Sequence, residues 1–451
     1  MAVLNSNSLL FPEILTEKTV AELFTSLFGY TTRFDHKRHR WLIWNIHYWE
    51  EDRTEDITRL VFTLSDLMKQ EGEETNNKNL RDWGIKLQNN AKIKNIISLA
   101  KAIKPIPITG DEFDTQKMLL GVKNGIIDLE TGKLRNGKTN DYINFKSPVN
   151  FDANAICPKW ETFIEKIFLS DKNLIDYVQR ALGYSITAST GEQVFFICHG
   201  EGGNGKSILF KVISKILGDY AHSASSNLFK KNQFYTNTND IADIDRKRFI
   251  VNAETIKDTF LDEEKLKSIT GGDKITARRL HENNLSFYPV AKVWLHTNSR
   301  PKFEDDSYGL WRRVRVIDFP YKFSSDETIL EYDEILFNEE APGILNWLTT
   351  GCLMWQEKKL KDIPKTILQA TEDYKIENNP LTEFLNERVI KEEGESLLSS
   401  TFYAHYIQWC SLHKKNPLTL TAFGLQLKNI GLEKKEVMQG TVYLNIRLVF
   451  V

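Results

Sequence analysis

The sequence predicts an α/β protein whose core holds a phosphate-binding loop between a strand and a helix. Three adjacent segments carry this prediction. GEGGNGKS at 200–207 fits G-x-x-x-x-G-K-[ST], Gln193–His199 is an apolar run of strand type, and Lys206–Leu217 repeats apolar residues at helical spacing. A strand, a glycine turn and a helix N-terminus aimed at an anion form one nucleotide-binding unit. We therefore expect an ATP or GTP site here.

The residue types of this loop suit a bound triphosphate. Its glycines let successive backbone N–H groups turn inward, which a Cβ would obstruct. Lys206 reaches the β and γ phosphates, and the hydroxyl of Ser207 can ligate Mg²⁺. The predicted nucleotide-binding residues are Gly200, Gly202, Gly203, Asn204, Gly205, Lys206, Ser207 and Ile208.

Length and composition are those of a multidomain globular protein. The chain has 451 residues, enough for two or three domains, and its formal charge of −2 by itself says nothing about nucleic acid. The four cysteines lie far apart, so neither a zinc site nor a disulfide framework is indicated. We see no signal peptide and no apolar run of about 18 residues, so we expect a cytoplasmic protein without a membrane partner.

The first 110 residues are expected to be mostly helical with a strand-like, tryptophan-rich insert at Arg40–Tyr48. A polar segment from Glu71 is expected to form an exposed loop between two helices. The rings of Trp41, Trp44 and Trp49 could stack on bases, but a core position is the commoner role. The basic cluster Arg33, Lys37, Arg38, His39 and Arg40 is interpreted as a solvated loop.

A second apolar strand, Lys247–Glu254, ends in an acid. A P-loop ATPase needs a carboxylate at the end of a neighbouring strand to hold Mg²⁺ or to polarise the attacking water. Glu254 is the candidate, although Ala253 stands where a second acid often precedes it. Either Glu254 serves alone, or Asp243 or Asp245 assists it.

A third apolar strand, Ala291–Thr297, is followed by Asn298. An amide at this place can orient water against the γ phosphate. Between the second and third strands, the alternation in Lys265–Pro289 predicts a β-hairpin. Its positive residues would suit contact with a phosphate backbone: Lys274, Arg278, Arg279 and His281.

Tyr308–Phe319 places the paired arginines Arg312 and Arg313 before a fourth strand. An arginine beside the γ phosphate of a neighbouring subunit would stabilise transition-state charge, whereas a surface salt bridge is the plainer alternative. Near the C-terminus, two helices and two short strands over 401–450 predict a winged helix. Such a module could bind duplex DNA or dock a protein.

In this order and at this spacing, GEGGNGKS, RFIVNAE, LKSITGGDKITARRL, VWLHTNSRP and WRRVRVIDF resemble the motifs of superfamily three helicases. The narrower resemblance is to the phage and plasmid primase-helicase type, which is related to the poxvirus primase-helicase. It extends upstream through GVKNGIIDLETGKL and FDANAICPKWETFIEKI. Members of this family are AAA+ proteins that work as ring hexamers and translocate along single-stranded DNA.

The resemblance implies roles for individual residues. Lys206 and Ser207 are the Walker A pair, Glu254 is the catalytic acid, and Asn298 is the sensor amide. Arg312 or Arg313 is the arginine finger acting on the adjacent subunit. The hairpin near 278–284 corresponds to the DNA-contacting loop of the central channel.

The expected organisation is an N-terminal helicase-associated domain (1–155), an AAA+ helicase domain (156–335), a helical connector (336–390) and a winged helix (391–451). The leading hypothesis is an ATP-dependent hexameric DNA helicase, with Mg²⁺, acting on single-stranded and forked DNA in a bacterial or archaeal host cell. The second is an AAA+ origin-binding initiator or loader that uses ATP only to assemble; a small-molecule kinase is the third. We see no primase site, so a separate primase or polymerase would be the partner.

Overall fold

The computed structural model describes residues 11–231, 238–252, 260–278, 284–304, 307–413, 415 and 417–449. Its helices are α1 (Glu17–Phe28), α2 (Asp56–Glu74), α3 (Lys78–Lys86), α4 (Asn90–Ala100), α5 (Pro158–Ile167), α6 (Lys172–Ser185), α7 (Lys206–Leu217), α8 (Thr238–Ala242), α9 (Glu263–Gly271), α10 (Tyr308–Trp311), α11 (Tyr332–Lys358), α12 (Lys365–Asn378), α13 (Pro380–Arg388), α14 (Ser399–Leu412) and α15 (Leu420–Asn429).

The strands are β1 (Thr32–Asp35), β2 (Arg40–Asn45), β3 (Tyr48–Glu51), β4 (Pro107–Ile108), β5 (Leu119–Val122), β6 (Gly125–Asp128), β7 (Lys133–Arg135), β8 (Phe195–His199), β9 (Ala221–Ala224), β10 (Phe249–Asn252), β11 (Ile275–Arg278), β12 (Asn284–Phe287), β13 (Lys292–Thr297), β14 (Val314–Asp318), β15 (Val389–Leu398), β16 (Lys434–Val437) and β17 (Gly440–Leu448).

The N-terminal part of the chain packs α1 to α4 beside a sheet of order β3-β2-β1-β4. The loop predicted from Glu71 is wrong in its first half, because α2 continues to Glu74. Gly72 permits this, since a Cβ there would lie 2.5 Å from the backbone nitrogen of Arg81 in α3. The missing side chain lets the two helix backbones approach closely.

The basic cluster predicted to be a solvated loop is wrong, because it forms ion pairs with buried carboxylates. Arg38 lies 3.3 Å from the buried Asp35 and 2.6 Å from Asp245. Arg33 is only 6% exposed. Its guanidinium lies 4.8 Å from the ring centre of Trp49, which is buried as predicted. The cluster therefore joins the N-terminal sheet to the central part of the chain.

That central part is built on a five-stranded parallel sheet of order β14-β8-β13-β10-β9. One face packs against α6, α7 and α11, and the other against α9 and α12. Both faces are apolar, as in parallel sheets covered on both sides; the ring of Trp294 stacks on Phe196 at 3.9 Å between centres. The mixed α/β class with a parallel sheet is thus confirmed.

The segment predicted as one long hairpin divides into a helix and a shorter hairpin. Its first part forms α9, whose N-terminus is capped by the Asp262 side chain accepting from the Lys265 N–H at 3.0 Å. Leu266 and Ile269 bury one face of this helix. The hairpin is confined to β11 and β12, which pair antiparallel.

The C-terminal part contains α13, α14 and α15 with an antiparallel sheet of order β15-β17-β16. An aromatic core joins these elements, with Phe384, Phe402, Tyr406 and Phe423 among its buried members. The two helices and two strands predicted over 401–450 are present, and α13 and β15 come in addition. Within the described ranges, no helix is long and apolar enough to cross a membrane.

Candidate active site

The loop between β8 and α7 requires its glycines for two different reasons. Gly203 and Gly205 have left-handed backbone conformations, with φ of 75° and 84°. A Cβ at Gly205 would also lie 2.7 Å from Cγ2 of Ile167 in α5. At Gly200 a Cβ would lie 2.3 Å from the side-chain nitrogen of Asn204. The loop therefore turns tightly over α5 and brings α7 to the carboxyl edge of the sheet.

The ammonium of Lys206 is held inside this turn. Lys206 is 3% exposed and donates to the Gly200 carbonyl at 2.6 Å, to Oδ1 of Asn204 at 3.0 Å and to Oδ1 of Asn298 at 3.2 Å. These acceptors are neutral oxygens, whereas an anionic phosphate oxygen would bind the ammonium more strongly. The arrangement places a buried positive charge at the N-terminus of α7, where the helix dipole also favours an anion.

Asn204 adds an unsatisfied donor to the loop. It is 4% exposed, and its Nδ2 is buried without a hydrogen-bond partner in the described part of the chain. Buried polar groups without partners are uncommon in folded proteins and call for an explanation. A phosphate seated in the loop would give this donor an acceptor.

The loop lies at the switch point of the sheet. β8 is flanked by β14 on one side and by β13 on the other, so the strand order reverses beside it. In open parallel sheets, ligands bind outside the carboxyl ends of the strands at such a point. The predicted meeting of Asn298 with the loop is found, because β13 is the immediate neighbour of β8.

The position of the candidate acid differs from the expectation. β13 lies between β8 and β10, so the strand that leads to Glu254 is next but one to β8 rather than its neighbour. Glu254 itself falls at 253–259, outside the described residues. Asn252, which ends β10, is 1% exposed, and both of its side-chain polar atoms are buried without a partner in the described ranges.

The suggested assistance from Asp243 or Asp245 is wrong. Both residues precede β10, which runs parallel to its neighbours, so they lie at the amino edge of the sheet. Asp245 is 9% exposed and pairs with Arg38 at 2.6 Å and with Arg246 at 3.6 Å. Its role is to join the N-terminal and central parts.

Arg312 and Arg313 also lie at the amino edge. The backbone N–H of Phe195, the first residue of β8, donates to the Arg313 carbonyl at 2.9 Å. The length of β8, about 13 Å at 3.3 Å per residue, separates both arginines from the loop of their own subunit. The guanidinium of Arg312 donates to Gln193 at 2.8 Å, and burial, followed by the charge of Arg312, lowers the pKa of Arg313. The structure does not bring these arginines to the site.

A cavity of about 300 Å³ opens beside the loop. Its size falls at the lower end for ligand pockets, and aromatic and aliphatic side chains form part of its walls. The rings of Phe163 and Phe323 are inclined by 20° with centres 6.4 Å apart. The N–H of Phe323 donates to the Gly203 carbonyl at 2.8 Å, which ties the cavity wall to the loop. Other lining residues are Thr162, Lys166, Ile208, Glu327, Thr328, Ile329 and Tyr332, together with loop residues 203–207.

Three strand ends meet at a single carboxylate, which sequence reasoning missed. Asp318 is the last residue of β14 and lies beside the loop, with Oδ1 3.1 Å from Nδ1 of His199 and 3.4 Å from a guanidinium nitrogen of Arg300. Burial opposes ionisation, but the hydrogen bond from His199 and the charge of Arg300 lower the pKa of Asp318. The available signal was that His199 and Asp318 each end a strand and that Arg300 follows β13 closely.

The residues that would hold Mg²⁺ are only partly described. Ser207 is exposed in the first turn of α7, so its hydroxyl is accessible at the mouth of the loop. Over the described ranges, no group of three His, Cys, Asp or Glu residues could hold a metal. An exposed hydroxyl beside a phosphate site fits the usual Mg²⁺ arrangement, in which the phosphates and water supply most of the ligands.

Of the predicted DNA-contacting residues, Arg278 ends β11 and Lys274 immediately precedes that strand. Lys274 and Arg278 are exposed, whereas Arg279 and His281 lie outside the described residues. The base of the hairpin contacts the N-terminal part, where Lys37 donates to the Ser286 carbonyl at 3.2 Å. The hairpin thus projects from a supported base.

Three family models match the chain. "D5 N terminal like" matches residues 21–169, a "Family of unknown function (DUF5906)" matches 198–313, and "Poxvirus D5 protein-like" matches 376–446. The chain therefore carries D5-type regions on both sides of its central sheet, and the predicted relationship to the poxvirus type is confirmed.

The related proteins come from large DNA viruses. "Putative helicase L207/L206" of Acanthamoeba polyphaga mimivirus is 30% identical over 246 residues, 53% of this chain and 26% of that protein. "Putative helicase 184R" of Invertebrate iridescent virus 6 is 23% identical over 403 residues, 80% of this chain and 40% of that protein. "Putative primase C962R" of African swine fever virus is 24% identical over 354 residues, 71% of this chain and 36% of that protein.

The chain thus spans 26% to 40% of the length of these relatives. A solved structure described as the apo A form of the NrS-1 C-terminal region is 13% identical, with a TM-score of 0.49 over 96% of this chain and 100% of that one.

Proposed function

We propose that the chain is an ATP-driven DNA helicase with a P-loop AAA+ core, acting as a hexameric ring on single-stranded DNA. The observation that carries this proposal is the buried ammonium of Lys206, held between the loop and Asn298 at the switch point of the sheet. The names of the viral relatives support the same class. ATP, with Mg²⁺, is the proposed fuel.

In the proposed mechanism, the aromatic cavity takes the base and ribose, and the loop N–H groups and Lys206 take the phosphates. Asn298 lies beside the ammonium, so its amide can orient the attacking water. Glu254 is the proposed general base for that water. Mg²⁺, bound to Ser207 and Glu254, would supply charge neutralisation at the phosphates.

The proposed ring follows from the place of the arginines. Arg312 and Arg313 lie at the edge of the sheet opposite their own loop, so either could serve only the nucleotide of a neighbouring copy. We therefore propose that the finger acts in trans. Mixing Arg313→Ala subunits with Lys206→Ala subunits should then restore part of the hydrolysis that each variant lacks alone, whereas no restoration would contradict a shared site.

We propose that single-stranded DNA binds along the basic hairpin. The phosphate backbone would be contacted by Lys274, Arg278, Arg279 and His281. The C-terminal arrangement of α13, β15, α14, α15, β16 and β17 supports a winged helix. This arrangement is compatible with both a helicase and an origin-binding loader, which the forked-duplex experiment distinguishes.

The deciding experiment is unwinding of a forked duplex by the wild type beside Lys206→Ala. Strand separation that requires ATP and is lost in the variant is expected. DNA-stimulated hydrolysis without strand separation would favour the loader instead. We propose a separate primase or polymerase as partner, and a virus, plasmid or other mobile element as the setting; the expected bacterial or archaeal host has no support among the viral relatives.

A further inference from the structure

The segment that follows β13 joins the candidate active site to another part of the molecule. It begins with Asn298, whose side chain accepts the hydrogen bond from Lys206. Two residues later, Arg300 carries a guanidinium whose side chain is 15% exposed. The next residues, Pro301 and Phe303, contact α12 through their backbone atoms.

Arg300 connects two carboxylates on different elements. One guanidinium nitrogen lies 3.4 Å from Asp318, the residue that also meets His199 at the end of β8. The other lies 2.9 Å from Glu377 in α12. Arg300 thus links the strand ends around the phosphate loop to the last turn of a helix on the opposite face of the sheet.

The backbone of the same segment is fastened to that helix turn. The hydroxyl of Tyr374 donates to the Pro301 carbonyl. Asn378 and Phe303 exchange two hydrogen bonds: the Phe303 N–H donates to Oδ1 of Asn378 at 2.8 Å, and Nδ2 of Asn378 donates to the Phe303 carbonyl at 3.0 Å. With the Arg300 ion pair, these bonds make segment 298–303 and the end of α12 one mechanical unit.

The end of α12 leads at once into the C-terminal part. A single residue, Asn379, separates α12 from α13, and its side chain caps α13 by accepting from the Leu381 N–H at 3.0 Å. Leu381 and Phe384 of α13 are buried in the aromatic core with Phe402. A displacement of segment 298–303 would therefore reach the C-terminal core through a short, hydrogen-bonded path.

We propose that Arg300 is a positioning residue that holds Asn298 against the phosphate loop and transmits its displacement through Glu377 to α13. The proposal rests on the proposed function, because the displacement is set by the presence or loss of a γ phosphate at Lys206. Asp318 anchors the guanidinium to the strand ends, and Glu377 passes its displacement to the end of α12 and to α13. The C-terminal part then responds to the nucleotide bound in the core.

Glu377→Gln tests the transmission through Glu377, because it removes the charge but keeps the shape of the side chain. Glu392→Gln is the matched control, since Glu392 is a half-exposed acid that pairs with Arg447 within the C-terminal sheet. Amide hydrogen exchange of α13 and β15 is measured on the full chain, with ADP and with a nonhydrolysable ATP analogue. The wild type and the control should differ between the nucleotides by about tenfold in exchange rate, and Glu377→Gln should not.

Steady-state hydrolysis tests the positioning of Asn298. Arg300→Ala should lower kcat by about tenfold to a hundredfold with KM for ATP within about threefold, and Arg300→Lys should recover part of the loss. Adding Glu377→Gln to Arg300→Ala should cost nothing further in the exchange readout.

Several outcomes would overturn the coupling. One is a nucleotide-dependent difference in exchange for Glu377→Gln equal to that for Glu392→Gln. Another is a double variant whose effect on exchange is the sum of the two single effects. The third is a KM for ATP that rises in step with the loss of kcat. Failure of the proposed function has a different signature, because a wild type that binds the analogue but hydrolyses no ATP would still give the exchange comparison. A merely structural ion pair would lower stability in Glu377→Gln and leave the nucleotide difference in exchange intact.

Discussion

The ammonium of Lys206 and the side-chain oxygen of Asn298 lie 3.2 Å apart, although 92 residues separate them in the sequence. This bond joins the first turn of α7 to the end of β13. In the proposed ATP complex, this bond would hold the amide where the γ phosphate meets the lysine. The contact makes Asn298 the described residue best placed to sense that phosphate.

Asn298→Ala should therefore impair chemistry more than binding. We expect kcat for ATP to fall by about tenfold to a thousandfold, because an oriented polar group near the reacting atoms is lost. The affinity for nucleotide should change by less than about threefold, since the loop and Lys206 remain. Ser299→Ala is the neighbouring control. Equal losses in kcat for both variants would contradict a specific role of the amide.

Two glycines of the loop offer a matched comparison. Gly205→Ala should weaken nucleotide binding and stability, because its left-handed backbone costs an alanine about 1–2 kcal/mol and the added Cβ would meet Ile167 at 2.7 Å. Gly202→Ala should leave the stability unchanged, since no atom lies within 4 Å of its added Cβ and its φ is outside the left-handed region. Isothermal titration with an ATP analogue and thermal unfolding would measure both. A larger loss of stability for Gly202→Ala than for Gly205→Ala would contradict these different roles of the two glycines.

The parts of the site that were predictable are local in sequence. β8, the loop and α7 follow one another without a gap, so strand pattern, glycines and helical period determined them together. Asn298 was found because it ends an apolar strand. Its partner could be guessed only because parallel strands end at the same edge of a sheet.

The parts that were missed depend on residues far apart in the sequence. Asp245 was a candidate for the active site, but its partner Arg38 lies 207 residues away and holds it at the opposite edge. The link from Asp318 through Arg300 to Glu377 joins three elements, none of which has a diagnostic pattern. α11 lies mostly within the expected helical connector, 336–390, but its bounds were not predicted, because it is buried on several sides and lacks a clear polar face.

Arg278→Ala should weaken DNA binding in a salt-dependent manner. The exposed Arg278 lies at the end of β11 beside the hairpin tip, so its loss should remove about one phosphate contact. The slope of log affinity against log salt should decrease by about one unit, while basal ATP hydrolysis is retained. Fluorescence anisotropy with labelled single strands would measure it. Arg59→Ala, an equal charge change on α2, is the control, and an equal change in slope for it would contradict the assignment.

Asn252→Leu should raise stability while lowering turnover. The amide of Asn252 is buried with neither polar atom partnered among the described residues, and replacing such a group by an apolar one of similar size should gain about 1–3 kcal/mol. Turnover should fall, because Asn252 ends the strand that leads to Glu254. Chemical denaturation and ATPase assays would measure the two effects. Loss of stability would mean that the amide is satisfied, and unchanged turnover would mean that it has no part in the reaction.

Lys292 should make stability depend on pH in the alkaline range. It is 1% exposed beside the buried Arg248, and burial, followed by the charge of Arg248, lowers its pKa well below the usual value. Between that lowered pKa and the unfolded value near 10.5, the unfolded chain binds a proton that the folded chain does not. The free energy of unfolding should therefore rise with pH in this window, by at most about 1.4 kcal/mol per pH unit.

Lys292→Met should remove this pH dependence of the free energy of unfolding. Denaturation between about pH 8 and pH 10, below the unfolded pKa, should give a steeper rise in the free energy of unfolding for the wild type than for the variant. Lys18→Met is the control, because the side chain of Lys18 is 77% exposed. Parallel pH profiles of wild type and Lys292→Met would contradict a neutral lysine, and would mean that the carbonyls of Thr187 and Val290, which accept from Lys292, keep the ammonium charged in the folded state.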